Sequence, residues 1–459
     1  MQKQKKSGFT SSIGFILSAA GSAVGLGNIW RFPYLAAKGG GGLFILIYIV
    51  LALTFGFTLL TTDLAIGRRT GKSSLHAFGE VSKKWKFIGP LTFIVPCTIL
   101  TYYCAIGGWV LKYITVYLTG ASHAAAQGNY FTSFITSSVS PIVMMLIYLA
   151  ITALVVYNGV EKGVEKFSKI IMPGLIVMIV AICIFALTLS HDGRSAIEGL
   201  KIYLVPSFEG LTVKKFMNIL LDATGQLFYS LSIAMGIMVT YGSYVDKKDN
   251  LGKSITRIEI FDTGVALLAG LMIIPAVYVF QGAEGLSANG PGLMFVALPQ
   301  IFDKMGIIGI VAGVVFFVMV AFAALTSSIS IMETIVASIM EKTGKSRKQI
   351  SLFTAIFSSI GAVVVCLGYN LFYFEFELPN GTVGQILDIA DYVSNSLLMP
   401  LVALFTSILI GWVVKPKWVI EELEASGHKF TRKTLYTIVI KYIVPVVMTV
   451  LILQALGIL

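Results

Sequence analysis

GSAVGLGN at residues 21–28 and SLSIAMG at residues 230–236 each interrupt a long apolar stretch with glycine and other small residues. Glycine weakens a helix interior, so each segment is a candidate break in a membrane-spanning helix. Backbone without helical hydrogen bonds is tolerated at membrane depth only where it lies inside the protein or lines a cavity. Close packing of two unbroken helices is the alternative for either segment alone. The pair, five predicted helices apart, favours two broken helices around one cavity.

Apolar stretches of membrane-spanning length surround these breaks along the whole chain. Of its 459 residues 56% are hydrophobic and 12% are charged, about half the roughly 25% of charged residues in soluble domains. A bilayer core of about 30 Å needs about 20 apolar residues per helix. We therefore predict an all-α polytopic membrane protein with about eleven transmembrane helices, at 12–36, 42–67, 88–119, 142–158, 167–189, 217–244, 257–281, 307–341, 349–369, 384–413 and 436–457.

The basic residues indicate the orientation of these helices. With a cytoplasmic N-terminus, the inner segments hold about 25 of the 34 Lys and Arg residues and the outer loops about six. Positive charge collects on the cytoplasmic side of membrane proteins, so we predict a multi-pass protein of the inner (cytoplasmic) membrane with its C-terminus outside. Because the basic residues alternate with apolar stretches, the net charge of +11 indicates the lipid bilayer, not nucleic acid, as the partner.

Broken helices at corresponding positions of two halves are typical of transporters built from inverted repeats. We predict one transmembrane domain over residues 1–459, with a first repeat at about 12–189, a second at about 217–413 and an extra helix at about 436–457. A break frees carbonyl groups that can coordinate a hard cation and N–H groups that can meet a carboxylate. One break can therefore serve an ion and an organic anion together.

Five motifs carry a resemblance to a known family. They are GSAVGLGNIWRFPY at 21–34, TYYCAIGGW at 101–109, GQLFYSLS at 225–232, ALTSSISIM at 324–332 and LDIAD at 387–391. In this order the set strongly resembles the neurotransmitter:sodium symporters, of the bacterial leucine-transporter type, over nearly the whole chain. The resemblance implies the leucine-transporter fold with its 5+5 inverted repeat, and sodium-coupled symport of an amino acid into the cell by alternating access. A twelfth helix, present in many members, is missing.

By resemblance, two Na⁺ ions bind at the breaks. The first takes the Ala23 carbonyl with Asn28, Ser230 and Asp262, and the second takes Gly21, Val24, Ala323, Thr326 and Ser327. Chloride-dependent relatives have a neutral residue where Asp262 stands, so we expect this carboxylate to supply the negative charge and no chloride to be needed. A carboxylate inside a span is costly and by default functional. Without its sodium it could also take up a proton, which leaves proton antiport open.

The substrate site implied by the resemblance lies beside these ions. Its residues are Ala23, Gly25, Leu26, Gly27, Ile99, Tyr103, Tyr229, Ser230, Ser232, Met235, Ser327 and Ile331. Monoamine-carrying relatives have an acid at the position of Gly25, so the glycine favours a whole amino acid. Met235 can adapt to a ring, which favours hydrophobic or aromatic amino acids; alternatively, Met235 only packs in the core or faces lipid.

Two gates and a hinge are implied in the same way. Arg31 and Asp391 match the outer gate, above an aromatic lid from Tyr103 and Tyr229. Lys6, Glu341 and Tyr244 match the inner gate, where Lys6 replaces a usual arginine and loses bidentate geometry. Gly163 and Pro173 match a motif that lets the fifth helix unwind towards the second sodium.

Other function classes are less consistent with the sequence. The sequence contains no filter-like repeat of the kind that would indicate a channel. It also contains no set of His, Asp and Ser residues at matched depths that would indicate an enzyme. A sodium-dependent amino-acid sensor of the same fold would share every binding residue and stays open as the alternative. We expect a monomer or a weak dimer.

Overall fold

The computed structural model describes residues 8–286 and 290–459. Its long helices are named spans 1 to 11 in chain order. Span 1 consists of Ser12–Ala23 and Gly27–Lys38, and span 6 of Val213–Ser230 and Ile237–Gly242. Spans 2 to 5 are Gly42–Thr70, Lys83–Leu118, Ser140–Tyr157 and Val160–Leu187, and spans 7 to 11 are Leu251–Gly285, Ile307–Thr343, Arg347–Leu367, Ile386–Val413 and Lys433–Ala455.

Shorter elements connect the spans. The helices among them are Ser74–Val81, Ser122–Ala125, Tyr130–Ile135, Ala196–Leu204, Gly290–Gly292, Leu293–Ala297, Leu298–Lys304 and Lys417–Glu424. Two short hairpins pair Ser190–His191 with Arg194–Ser195 and Phe376–Glu377 with Val383–Gly384. None of these elements forms a domain of its own within the described residues, so the molecule is built from its spans.

Span 1 is broken where the sequence predicts. Helix Ser12–Ala23 ends at Val24, whose backbone is extended, and the chain continues into a wide π-helical turn over Gly27–Arg31. The two halves are bent by 52°. The Val24 N–H still donates to the Ala20 carbonyl at 2.7 Å, but the next N–H, that of Gly25, donates to the Asn28 side chain at 3.1 Å instead of to a helical carbonyl.

Span 6 is broken over residues 231–236. Ser232 and Ala234 have φ values of 52° and 61°, which non-glycine residues rarely adopt, and Gly236 follows with φ of 75°. Such conformations cost about 1–3 kcal/mol each and persist only where the surroundings hold them. Here the Ser232 hydroxyl donates to the Ser22 carbonyl at 3.0 Å, and the Ala234 N–H donates to the Asp63 carboxylate at 3.1 Å.

The broken helices lie in the middle of the bundle. Span 1 packs against spans 5, 7 and 8, and span 6 packs along span 2, while spans 3 and 8 contact each other. Asn28 and Asp262 are both 0% exposed. The polar groups freed by the two breaks are therefore enclosed by protein, as backbone without helical hydrogen bonds must be at membrane depth.

The predicted fold class and the two broken helices are confirmed. Within the described residues nine helices are long and apolar enough to cross a membrane, and the bent pair of span 1 makes ten. Span 6 is not among these helices, because the 18 residues of its first half include three charged residues, Lys214, Lys215 and Asp222. Spans 5 and 7 begin earlier than predicted, at Val160 and Leu251, because their first turns are polar and extend beyond the apolar segment.

Glycines let span 2 and the second half of span 6 touch backbone to backbone. A Cβ at Gly67 would lie 1.8 Å from the Val239 carbonyl oxygen, and one at Gly242 would lie 2.4 Å from that of Leu64. We predict that Gly67→Ala lowers the free energy of unfolding by about 1–3 kcal/mol or more, because the helices must separate. Thermal unfolding in detergent measures this.

Gly264→Ala is the matched control, because no neighbouring atom lies within 4 Å of a Cβ at that helical position. Its melting temperature should equal or slightly exceed that of the wild type. Equal melting temperatures for Gly67→Ala and the wild type would contradict the backbone contact.

Candidate functional site

A small cavity lies between the two breaks. It is lined by Ser22, Ala23, Gly25, Gly27, Asn28, Ile99, Tyr103, Tyr229, Ser230, Ser232, Met235, Ile237, Ser327 and Ile331. This set contains every predicted substrate residue except Leu26, whose N–H lies beside the Tyr103 hydroxyl. The volume is about 20 Å³, enough for about one water molecule. An amino acid fits only if the walls move apart.

Glycine is required at two positions on the wall. A Cβ at Gly25 would lie 2.7 Å from the Ser327 Oγ and 3.1 Å from the Tyr103 hydroxyl. One at Gly27 would lie 2.5 Å from the Tyr229 ring. Both glycines thus let the backbone of span 1 face the cavity directly.

Polar groups beside the cavity include the predicted residues of the first ion site. The Asn28 Nδ2 donates to the Asp262 Oδ1 at 2.8 Å and to the Ser230 Oγ at 2.9 Å. The Ser230 Oγ donates to the same Asp262 oxygen at 2.6 Å. Asp262 Oδ2 is buried and accepts no hydrogen bond within the described residues. One carboxylate oxygen is thus available to a cation.

The amide of Asn28 is oriented by its neighbours. Its Oδ1 accepts from the Gly25 N–H at 3.1 Å, so the nitrogen faces Asp262. Amide oxygen and nitrogen are assigned from such networks. A cation placed between Asn28 and Asp262 would require the opposite orientation, in which the amide oxygen faces the ion.

The residues predicted for the second ion site are also close together. The Ser327 Oγ lies 3.4 Å from the Val24 carbonyl oxygen and 3.2 Å from that of Ala323. Thr326 Oγ1 donates to the Ala323 carbonyl at 3.0 Å, and a Cβ at Gly21 would lie 3.1 Å from the Thr326 Cβ. Both hydroxyls thus bond to their own helix, as is common for Ser and Thr, yet the oxygens form one group across spans 1 and 8.

Sequence reasoning missed four residues that shape this site. Ser22 and Ile237 line the cavity; Ser22 belongs to the quoted break and could have been included. Asp63 holds the break of span 6 through the Ala234 N–H, and its charge in an apolar span was a usable signal. Tyr48 lies beside Asp262 and Ser230, and nothing in the sequence distinguishes it from other buried tyrosines.

A larger cavity of about 670 Å³ lies next to the first one. Tyr229 lines both cavities. Arg31 and Asp391, predicted as the outer gate, both line the larger cavity. Among the described residues they form no ion pair within 4 Å; the Asp391 Oδ1 instead accepts from the Asn395 Nδ2 at 2.5 Å. The expected contact between Arg31 and Asp391 is therefore absent here, and the two charges face the same cavity.

Two of the three residues predicted for the inner gate, Glu341 and Tyr244, lie within the described residues. Tyr244 donates to the Glu333 Oε1 at 2.7 Å, and Arg347 pairs with Glu333 at 2.5 and 3.0 Å. Glu341 accepts from the N–H and hydroxyl of Ser73 at 2.8 and 2.7 Å. It also pairs with Lys72 at 3.0 Å, and this hydrogen bond raises the pKa of the Lys72 ammonium. Lys6 lies outside the described residues.

The start of span 5 is tied to the start of span 1. Gly163 lies in a π-helical turn, Val160–Glu165, and Pro173 lies inside the continuous helix Lys166–Leu187. The Glu165 carboxylate, 1% exposed, accepts from the N–H and hydroxyl of Thr10, both at 2.7 Å. Any unwinding of this turn would therefore also release the first residues of span 1.

Comparisons with known proteins agree with one another. The model of the sodium:neurotransmitter symporter family matches residues 6–134 and 131–458. The chain is 35% identical to the uncharacterized sodium-dependent transporter YhdH of Bacillus subtilis, with 100% of both chains covered. It is 31% identical to an uncharacterized sodium-dependent transporter of Haemophilus influenzae, with 98% of each covered.

A solved structure is similar over nearly the whole molecule. The crystal structure of MhsT in complex with L-phenylalanine has a TM-score of 0.87 and 32% sequence identity. The match covers 98% of this chain and 100% of that one. This chain and MhsT thus share their fold over nearly the whole of both chains, including the part that contains the broken spans 1 and 6.

Proposed function

The chain belongs to the sodium:neurotransmitter symporter family, and we propose that it imports a hydrophobic or aromatic amino acid together with Na⁺. The family and the leucine-transporter fold predicted from the sequence motifs are thereby confirmed. The amino acid and the ion stoichiometry are parts of the proposal. The observation that carries it is the cavity between the breaks, whose lining combines polar groups with apolar side chains.

The polar groups of the lining fit the α-carboxylate and ammonium of an amino acid. The Tyr103 hydroxyl is buried and makes no hydrogen bond within the described residues, and the Leu26 N–H lies next to it. A carboxylate between these donors would satisfy both. Free carbonyls at the breaks would accept from the ammonium. Gly25 leaves room for the substrate's own carboxylate, because any side chain there would meet Ser327 and Tyr103.

The apolar side chains of the lining fit an apolar side chain of the substrate. Ile99, Met235, Ile237 and Ile331 line the cavity without a charged group. Methionine is flexible and polarizable, so Met235 can adjust to rings of different shape. MhsT, which shares 32% sequence identity with this chain, is described in complex with L-phenylalanine. This supports an aromatic or large aliphatic substrate here.

We propose that two sodium ions bind, at the two groups of oxygens described above. A hard cation prefers such oxygen ligands. At the first site the substrate carboxylate would be a direct ligand beside Ala23, Asn28, Ser230 and Asp262. The ion and the substrate would then attract each other by charge, which is a reciprocal coupling of their affinities.

Chloride independence follows in this proposal from Asp262. Its carboxylate is 0% exposed, and its hydrogen-bond donors are Asn28 and Ser230. A fixed negative charge beside the first ion would do what an added anion does in chloride-dependent relatives. Tyr48 lies beside the same carboxylate, so a neutral residue at 262 would leave a pocket with donors for an anion.

The structure suggests which contacts change during transport. Tyr229 lines both cavities, so we propose that its movement opens the site to the larger one. On the opposite side, Glu333 with Tyr244 and Arg347, and Glu165 with Thr10, hold the helix ends together. We propose that the larger cavity faces outwards and that these contacts form the cytoplasmic closure. This orientation agrees with the distribution of basic residues.

We predict sodium-driven accumulation of L-phenylalanine and other large apolar amino acids in proteoliposomes. Uptake of a labelled amino-acid panel is measured with an inward Na⁺ gradient and with K⁺ in its place. Gly25→Ala should reduce uptake about fivefold or more, because overpacking of this site costs about 1–3 kcal/mol.

Gly174→Ala is the matched glycine control, since its Cβ would meet only Phe322 at 3.8 Å, and it should transport like the wild type. Accumulation that is equal in K⁺ would contradict sodium coupling. Sodium-dependent binding without accumulation would indicate a sensor.

We predict that Asp262→Asn makes transport depend on chloride. Wild-type uptake should be equal in chloride and in gluconate, whereas uptake by the variant should fall in gluconate and recover in part with chloride. Glu259→Gln removes another buried carboxylate of span 7, one turn away, and should leave the ratio of the two rates near one. Collapse of wild-type uptake in gluconate would contradict the role of Asp262.

A further inference from the structure

A separate cavity lies where span 7 begins and where the segment before span 11 ends. Its volume is about 220 Å³, and the residues that line it are Phe57, Asn250, Gly252, Lys253, Thr256, Leu423, His428, Lys429, Phe430, Thr431 and Arg432. None of these residues belongs to the proposed transport site. Spans 7 and 11 both start here, so the cavity lies at the ends of helices, close to where they leave the membrane.

The lining is strongly basic. It contains Lys253, Lys429 and Arg432 but neither Asp nor Glu. Lys253 and Lys429 form no ion pair within 4 Å among the described residues, although other lysines such as Lys433 and Lys72 do. Two ammonium groups are thus available to an anion in the cavity.

Arg432 is the built part of this cavity. Its guanidinium lies over the Phe57 ring, 4.4 Å from the centroid, which fixes its plane. Its Nη1 is buried and forms an ion pair with the Glu259 Oε2 at 3.6 Å, but it donates no hydrogen bond within the described residues. An arginine held in this way still has donors for an oxyanion, and phosphate suits its fork geometry.

The backbone adds to the positive potential. Asn250 caps span 7, and its Oδ1 accepts from the Lys253 N–H at 2.9 Å. A Cβ at Gly252 would meet only the Asn250 Oδ1, at 3.7 Å, so the chain is open to the cavity at this point. The N-terminal end of a helix carries partial positive charge, which here reinforces the three basic side chains.

One wall of the cavity is apolar. Phe57 lies inside the apolar span 2, and Leu423 and Phe430 are buried beside it. These three side chains are almost completely buried, so they support the cavity from behind and its accessible lining is mainly polar. Basic pockets between the ends of membrane helices commonly bind lipid headgroups. We propose that this cavity binds the phosphate of an anionic phospholipid, whose headgroup reaches it from the membrane surface where spans 7 and 11 begin.

The proposal is tested on the full-length protein by native mass spectrometry, with phosphatidylglycerol or phosphatidylcholine added to the detergent micelles. The wild type should retain phosphatidylglycerol in preference to phosphatidylcholine. Lys253→Ala combined with Lys429→Ala should weaken the binding of phosphatidylglycerol at least about tenfold, because each basic residue near the membrane surface strengthens the attraction to an anionic headgroup.

Lys83→Ala combined with Lys84→Ala removes two exposed lysines from the first turn of span 3 and is the matched control. It should bind phosphatidylglycerol within about twofold of the wild type. Equal losses in both double variants, or equal retention of the two lipids, would overturn the proposal. Displacement of phosphatidylglycerol by soluble glycerol phosphate at equal concentration would overturn the lipid assignment in favour of a free-phosphate site.

Discussion

A helix that is broken at membrane depth must find hydrogen-bond partners for its free backbone groups inside the protein. In this molecule the two breaks supply partners for each other. The Ser232 hydroxyl donates to the Ser22 carbonyl, and the Gln226 Nε2 donates to the Gly27 carbonyl at 3.0 Å. Asp63 holds the Ala234 N–H. These contacts hold both breaks in place, and the backbone of the breaks lines the cavity between them.

The same constraint explains the chemistry assigned to the site. Backbone groups that are left unpaired on the cavity side can meet an ion and an amino acid, and Asp262 places a fixed charge beside them. The packing around the breaks is close, since Gly25 and Gly27 already leave no room for a side chain. Small movements of Tyr229 or of the helix ends would therefore change access to the site.

The sequence predicts long-range features of this fold well and individual side-chain pairs poorly. Apolar length and glycine clusters locate the spans and both breaks, because the bilayer imposes a strong and regular requirement. Asp63 was missed although its charge was visible, since only the structure shows that Ala234 needs a partner. The sequence motifs group Tyr244 with Glu341 at the inner gate, and the structure shows in addition that the Tyr244 hydroxyl donates to Glu333. The two carboxylates are about two turns apart on span 8, and the position of span 8 along its axis, which the sequence does not give, decides which one Tyr244 reaches.

The central claim is that ion and substrate share one site at the breaks, and binding measurements on the purified protein test it most directly. The affinity for L-phenylalanine is measured at increasing Na⁺ concentration, and the affinity for Na⁺ with and without L-phenylalanine. Linkage requires that each ligand strengthens the other by the same factor. The account predicts such a reciprocal increase, and its reduction in Asp262→Asn. Phenylalanine binding that is tight and independent of Na⁺ would contradict it.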